Sequence, residues 1–261
     1  MKYLYKNDRD KAGERLAYLE KIEDENTFDW ISKVGLKRGD HCLELGAGRG
    51  SVAKHLCDIV GPEGSVLAVD IDTRFLKDFG LEQLSVAEGD IEEVDLGENK
   101  FDFIHTRHVL FHIAGYKKVL ENLYWALKPG GWILVEESDF YTWEAIIAGD
   151  NSDIQLFNNV VEKILNLYKS KGLDIGCGTE CYRELSGYDH SQLSSGGRCR
   201  LVQGQSSEAQ FHRITMEQLM PSLAGEEDIE EGVVKKYLDL YLDTNFHYRT
   251  RMTNSVLVQK G

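Results

Sequence analysis

At 261 residues the chain suits one α/β domain with elaborations and leaves too little polypeptide for a second sheet domain of its own. Its formal net charge of -14 at pH 7, with no Lys/Arg stripe to offset it, argues against a nucleic-acid backbone or an anionic membrane as partner. The opening MKYLYKNDRDKAGE has no apolar core of signal-peptide length and no apolar run is long enough to span a bilayer, so a soluble, cytoplasmic protein is expected.

Leu16, Leu19 and Ile22 recur at helical spacing, and Thr27, Phe28, Trp30 and Ile31 begin a second amphipathic segment. Residues 1–38 are therefore expected to be helical. The period then shortens. His41 to Leu45 reads as a strand ending in glycines, Ser51 to Val60 as a helix, and Ser65 to Val69 as an apolar strand closed by Asp70. A helix near Arg74 to Phe79, strands at Leu84 to Ala87 and Phe101 to Thr106, and a helix at Lys117 to Leu127 follow. Pro129-Gly130-Gly131 is the turn that enters a fifth strand, Trp132 to Glu136. Strands alternating with helices at this spacing imply βαβ units and a mostly parallel sheet with helices on both faces, in a single domain over residues 1–261.

Beyond the fifth strand the rhythm loosens. Ser152 to Lys169 carries a helical stripe of Ile154, Phe157, Val160, Val161, Ile164 and Leu167, and Gly172 to Gly197 reads as a Gly/Ser-rich loop. Arg200 to Gln203 reads as a strand, Met216 to Leu223 and Ile229 to Leu242 as helices, and Ser255 to Val258 as a last, antiparallel strand. Residues 138–198 are expected as an insert after the fifth strand. The acidic run Glu226 to Glu231 suits the first turn of a helix, where carboxylates complement the dipole. Cysteines at 42, 57, 177, 181 and 199 form neither a disulfide framework nor a zinc pattern, and no metal is expected.

Two stretches compete for the role of a ligand loop: Glu44-Leu-Gly46-Ala-Gly48-Arg-Gly50, and Gly172-Leu-Asp-Ile-Gly176-Cys-Gly178. Such a loop needs a buried strand to aim it, glycines that admit a ligand, and a following helix whose free N–H groups face it. The first run has all three. The second follows the polar Lys169-Ser-Lys171 at the end of a helix, so Gly172 reads as a helix C-cap and the rest as loop punctuation. Within the first run, a dinucleotide fingerprint would place its third glycine on Ser51, which disfavours a nicotinamide oxidoreductase. An acid at Glu44 would repel a pyrophosphate and suits a ligand carrying ammonium and sulfonium charges. Asp70, closing the next strand, is placed to accept from both hydroxyls of a ribose.

At these residues the chain resembles the class I S-adenosylmethionine-dependent methyltransferases, and their bacterial small-molecule branch most. The matching blocks are "LELGAGRG" (43–50), "VLAVDID" (66–72), "AEGDIEEVDL" (87–96), "FDFIHTRHVLFHI" (101–113) and "LKPGGWILVEE" (127–137). The resemblance implies a Rossmann-like fold that binds S-adenosyl-L-methionine, with Gly46, Gly48 and Gly50 against the methionine part and Glu44 beneath it. It further implies Asp70 on the ribose, Ile71 on the adenine, Asp90 and Ile91 at the adenine edge, and the backbone of His105, Thr106 and Arg107 on the methionine ammonium. Asp72 and Arg74 read as a helix N-cap and a surface charge.

Methyl transfer asks the protein to hold a small-molecule acceptor in line with the donor and, for a hydroxyl, to remove its proton. Candidates beyond the strand ends are Arg107, His108 and His112 after the fourth strand, and Asp139, Tyr141 and Trp143 after the fifth. His112 is the first choice for base, because a histidine titrates near neutral pH, with a packed or capping side chain as the alternative. Tyr141, Trp143 and the helix 152–169 would wall the pocket, or serve as core, and the resemblance implies that the helices of residues 1–38 form a lid. An oxygen acceptor is favoured over nitrogen or carbon. Two other readings stay open: a non-methyl-transfer reaction on the same cofactor, such as a cyclisation, and a non-catalytic cofactor-binding protein. A homodimer is an open assembly state.

Overall fold

The computed structural model describes residues 9–77, 79–224 and 229–261. Along them run α1 (Arg9–Ser32), β1 (His41–Leu45), α2 (Ser51–Val60), β2 (Ser65–Asp70), β3 (Leu84–Glu88), β4 (Phe101–Arg107), a 3-10 turn (Leu110–His112), α3 (Tyr116–Ala126) and β5 (Leu127–Asp139). After them come β6 (Glu144–Ile147), α4 (Asn151–Ser170), α5 (Cys177–Ser186), β7 (His190–Arg198), β8 (Leu201–Gln203), α6 (Ser207–Ala224), α7 (Glu231–Leu240), β9 (His247–Arg249) and β10 (Met252–Lys260). The chain divides into two compact units, one of residues 23–137, 177–197 and 254–261, the other of residues up to 22 with 138–176 and 198–253. The stretch 138–198 has residues in both units.

The first unit carries a seven-stranded sheet in the order β3-β2-β1-β4-β5-β10-β7. Its β1–β2, β2–β3, β1–β4 and β4–β5 pairs are parallel, and the sheet is mostly parallel with one antiparallel end strand. The order reverses between β1 and β4, the place in such sheets where the strand ends splay and admit a ligand. Beneath lies the core: Val52, Ala53, Leu56, Cys57 and Val60 of α2 pack on Cys42, Val66, Ala68, Phe103 and Leu134 of the strands. Cys42 and Cys57 are core thiols, and burial pushes both pKa values up. Pro129-Gly130-Gly131 forms a bulge inside β5, where the pairing slips between Phe101↔Leu127 and Phe103↔Trp132.

The second unit holds a three-stranded antiparallel sheet, β6-β9-β8, with α4, α6 and α7. Helix α4 opens where the Asp150 side chain accepts from the Ser152 N–H, and buries Phe157, Val160, Val161, Ile164, Leu167 and Tyr168. It ends at Gly172, whose φ of +74° lets its N–H reach Lys169 O while Leu173 N–H reaches Tyr168 O. Among the described residues no helix is long and apolar enough to cross a membrane.

The structure departs from the sequence reading in several elements. Residues 9–32 form one helix rather than two segments, because Glu23 and Thr27 carry its buried face on from one turn to the next and break the apolar stripe. Residues 74–77 form turns instead of a helix, since the Asp72 side chain accepts from the Arg74 N–H and competes with helical bonding. The Gly/Ser-rich stretch contains α5, whose Cys177, Cys181 and Leu185 bury one face, and β7, an exposed edge strand. Of the acidic run, Glu230 precedes α7 and Glu231 opens it, while residues 226–228 lie outside the described residues, as do residues 1–8 of the expected lid and Asp78 of the expected helix.

Candidate functional site

β1 delivers the chain into Gly46, Gly48 and Gly50, all in the left-handed region at φ +73°, +55° and +84°. Two of them are also sterically fixed. A Cβ on Gly46 would stand 2.0 Å from Val109 Cγ2, and one on Gly50 2.7 Å from Leu76 Cδ2. The N–H groups of Gly46 and Ala47 bind Val69 O, so the loop folds over the end of β2. Helix α2 begins at once, with no side-chain cap on its first turn, and its open amides make a polar end for a ligand.

Asp70 closes β2 and ties this loop to the next connection. One carboxylate oxygen accepts from Gly48 N–H at 2.8 Å and the other from Asp72 N–H at 2.9 Å. Burial pushes the Asp70 pKa up, against the pull of these amides. A carboxylate has about four lone-pair positions, more than these amides fill, so acceptor capacity remains for a ligand. Beside it Ile71 is 61% exposed, an apolar side chain left outside the core. Gly89 N–H binds Asp70 O, which brings the Asp90 turn to the same strand end; the Asp90 carboxylate accepts from Glu92 N–H, and Ile91 is half-buried. Asp72 pairs with Arg74. The 3-10 turn after β4 is held where the Glu137 carboxylate accepts from both Val109 N–H and Leu110 N–H at 2.7 Å.

Under the loop lies a buried array of charges. Register sets Glu44 of β1 opposite His105 of β4, and Arg107 opposite Glu136 of β5. His105, wholly buried, meets Glu44 with Nδ1 at 2.8 Å and Glu136 with Nε2 at 3.2 Å. Glu136 also accepts from Thr27 Oγ1, from Asn26 Nδ2 at 3.0 Å and from Ser255 Oγ at 2.8 Å. Arg107 donates to Thr27 Oγ1 at 2.7 Å and to Asp24 at 2.8 Å, and the Ser51 hydroxyl at the head of α2 donates to Asp24. Burial alone would lower the His105 pKa, but the two carboxylates outweigh it and raise it to about 9. Burial alone would raise Glu136, but His105, Arg107 and Thr27 hold it down at about 2. His105 is therefore an imidazolium between two carboxylates at neutral pH.

The structure thus brings Glu44, Gly46, Gly48, Gly50, Asp70, Ile71, Asp90 and Ile91 and the end of β4 to the C-terminal ends of neighbouring strands. The buried Thr106 hydroxyl has no hydrogen-bond partner among the described residues. His108 sits in the left-handed region at φ +55° with its N–H on Glu136 O, and His112 ends the 3-10 turn with its ring edge-on to Phe111. In the other unit Trp143 is core, edge-on to Phe157, while Tyr141 is 72% exposed. Sequence reasoning missed Glu136, Asn26, Thr27 and Ser255. The signal it had was Glu136-Glu137, two carboxylates closing an otherwise apolar strand, a costly choice unless both are bonded.

The family described as "Methyltransferase domain" matches residues 18–160, more than half of the chain and every element of this site up to β5. The chain belongs to that family. A ubiquinone/menaquinone biosynthesis C-methyltransferase of Francisella tularensis subsp. novicida is 34% identical over 116 residues, 41% of this chain and 46% of that protein. A demethylmenaquinone methyltransferase of Oceanobacillus iheyensis is 28% identical over 117 residues, 42% of this chain and 49% of that protein. The chain spans about half the length of the curated relatives it matches. Among solved structures, the YcgJ protein of Bacillus subtilis superposes with a TM-score of 0.54 at 16% identity, over 88% of this chain and 96% of that one. A methyltransferase-like protein of Bacillus halodurans gives 0.52 at 18% identity over the same shares. Both show the Rossmann-like fold.

Proposed function

We propose that the chain is an S-adenosyl-L-methionine-dependent methyltransferase acting on a small-molecule acceptor. The observation that carries this reading is Asp70: a carboxylate closing β2, the strand next to β1, bonded to the glycine loop through Gly48 and flanked by the exposed Ile71. A ribose between them would take the open lone pairs of Asp70, and an adenine would cover Ile71. The same fit extends to Glu44 beneath the loop, to Asp90 and Ile91 at the adenine edge, and to the backbone of His105, Thr106 and Arg107 for the ammonium. When bound, the donor supplies a sulfonium methyl that an acceptor lone pair attacks, the carbon–sulfur electrons leaving with sulfur and the acceptor proton going to a base. The protein's work is to orient the acceptor, worth ~7–11 kcal/mol, and to take that proton.

Of the three catalytic candidates, Arg107 is assigned a supporting role, since its guanidinium is paired with Asp24 and Thr27. His112 is the base we favour, with His108 next. An oxygen acceptor remains our first reading; the likeness to a ubiquinone/menaquinone biosynthesis C-methyltransferase supports a carbon acceptor as the second. Labelled donor incubated with fractionated extract of small molecules tests the activity and marks the acceptor. S-adenosylhomocysteine should accumulate with the labelled product; turnover without it would favour a cyclisation, and binding without turnover a sensing role. His112→Ala should slow turnover about 10²- to 10⁴-fold with donor affinity intact, and a fall in melting temperature alone would make it a packing residue.

A further inference from the structure

The array around His105 reaches further than the acid beneath the loop. It starts at Glu44, two residues before Gly46, crosses β4 through His105 to Glu136 on β5, and ends on Asn26 and Thr27 of α1. A second branch runs from Arg107 to Thr27 and Asp24, and Asp24 accepts from Ser51 at the head of α2. Residues 24–27 are therefore bonded to both ends of the glycine loop: to its acid through His105 and to its helix through Ser51. The apolar core beside the sheet is built from other residues. Neutral apolar residues would fill the same strand positions at lower desolvation cost.

We propose that His105 is a positioning residue for donor binding, its ring fixing the Glu44 carboxylate and linking that acid through Glu136 to residues 24–27 of α1. This rests on the donor reading above. The ring can hold both carboxylates only as a double donor, which requires the imidazolium. The charged and titratable groups that face it or its partners are Glu44 from β1, Glu136 from β5, Arg107 from β4 itself, and Glu23 and Asp24 from α1, with Thr27, Asn26 and Ser255 as neutral partners. Loss of the ring proton leaves one carboxylate without its donor and frees Glu44 from the helix.

The test measures S-adenosylhomocysteine affinity by calorimetry from pH 6.5 to 10 for the wild type, His105→Gln and the milder Thr27→Val, with circular dichroism recording folding at each pH. Using the ratio of wild-type to variant affinity cancels titration of the ligand's own amine. The wild type should bind about tenfold more tightly than His105→Gln at pH 7, the size expected for a charge-assisted hydrogen bond, and the ratio should fall toward one by pH 10. Thr27→Val should lose a few-fold at pH 7 and keep the wild-type pH profile. Hydrogen exchange should show donor analogue slowing residues 24–32 in the wild type and not in His105→Gln. A ratio of one at pH 7, or one that stays constant to pH 10, overturns the proposal. If His105→Gln does not fold, unchanged affinity in Thr27→Val overturns it instead. A wild type that binds no S-adenosylhomocysteine refutes the donor reading itself.

Discussion

Each unit buries a histidine completely, and the two are held in opposite states. His105, in the sheet unit, lies between Glu44 and Glu136 and is raised to about 9. His212, in the other unit, bonds Tyr248 Oη at 2.6 Å among Phe211, Tyr241 and Tyr248, and burial pushes its pKa well down, helped by Arg251 and Arg200. Burial is the same; the partners decide. The sheet unit spends its buried polarity on ions beneath the glycine loop, whereas the other gathers neutral rings, Phe157 lying against Trp143, Tyr237, Tyr241, Phe246 and Tyr248.

The strongest way to break this contrast is to empty the aromatic core. Phe157→Ala removes a wholly buried ring with five aromatic neighbours and should cost about 3–5 kcal/mol, read as a lowered urea midpoint. A loss under about 1 kcal/mol would mean that this cluster is loosely packed. The next effect separates the two histidines by pH. His105, raised in the folded state, contributes stability that is complete below about pH 6.5 and is lost as pH rises through about 9. Glu136, depressed, contributes above about pH 4.5 and loses it as pH falls toward 2. His212, also depressed, binds its proton in the unfolded chain first, so stability declines as pH falls below about 6.5. In unfolding curves across pH, His105→Gln should flatten the alkaline decline and His212→Gln the decline just below neutrality. Exchanged effects would reverse the assignment of charge.

How far this was legible follows from the kind of signal each element sends. The parallel strands are apolar runs closed by glycine or acid, so β1, β2, β4 and β5 and the loop at 46–50 could be read directly. The array could not, because Asn26, Thr27 and Ser255 are small polar residues whose value lies in meeting Glu136 from sequence positions about a hundred residues away. The continuous α1 was hidden by the same cause, its buried face passing through Glu23 and Thr27. Helix α5 and strand β7 were hidden by composition, since small and polar residues there read as loop.

Beside the glycine loop, Asp70→Ala should weaken donor affinity by about 1–3 kcal/mol in calorimetry, because it removes the proposed ribose acceptor and orphans the N–H groups of Gly48 and Asp72. Equal affinity in a folded variant would remove Asp70 from the site. Gly46→Ala should be worse for folding than for binding, its new Cβ colliding with Val109 at a left-handed φ.

The smallest effect is expected at the second glycine run, and it tests the choice between the two. Residues 172–178 lead from the end of α4 into α5, with no strand before them, so they lack the element that aims a ligand loop. Gly176 has none of the left-handed backbone of Gly46 or Gly50, and its N–H is taken by the Asp174 side chain. A Cβ there would meet Tyr141 Oη at 2.9 Å, the far end of a flexible side chain that is 72% exposed and free to swing outward. Gly176→Ala should therefore change stability by no more than about 0.5 kcal/mol, the range of ordinary surface substitutions, and leave donor affinity within about twofold. Calorimetry with S-adenosylhomocysteine on the folded variant decides it: a tenfold loss of affinity there would move the donor loop from residues 46–50 to residues 172–178.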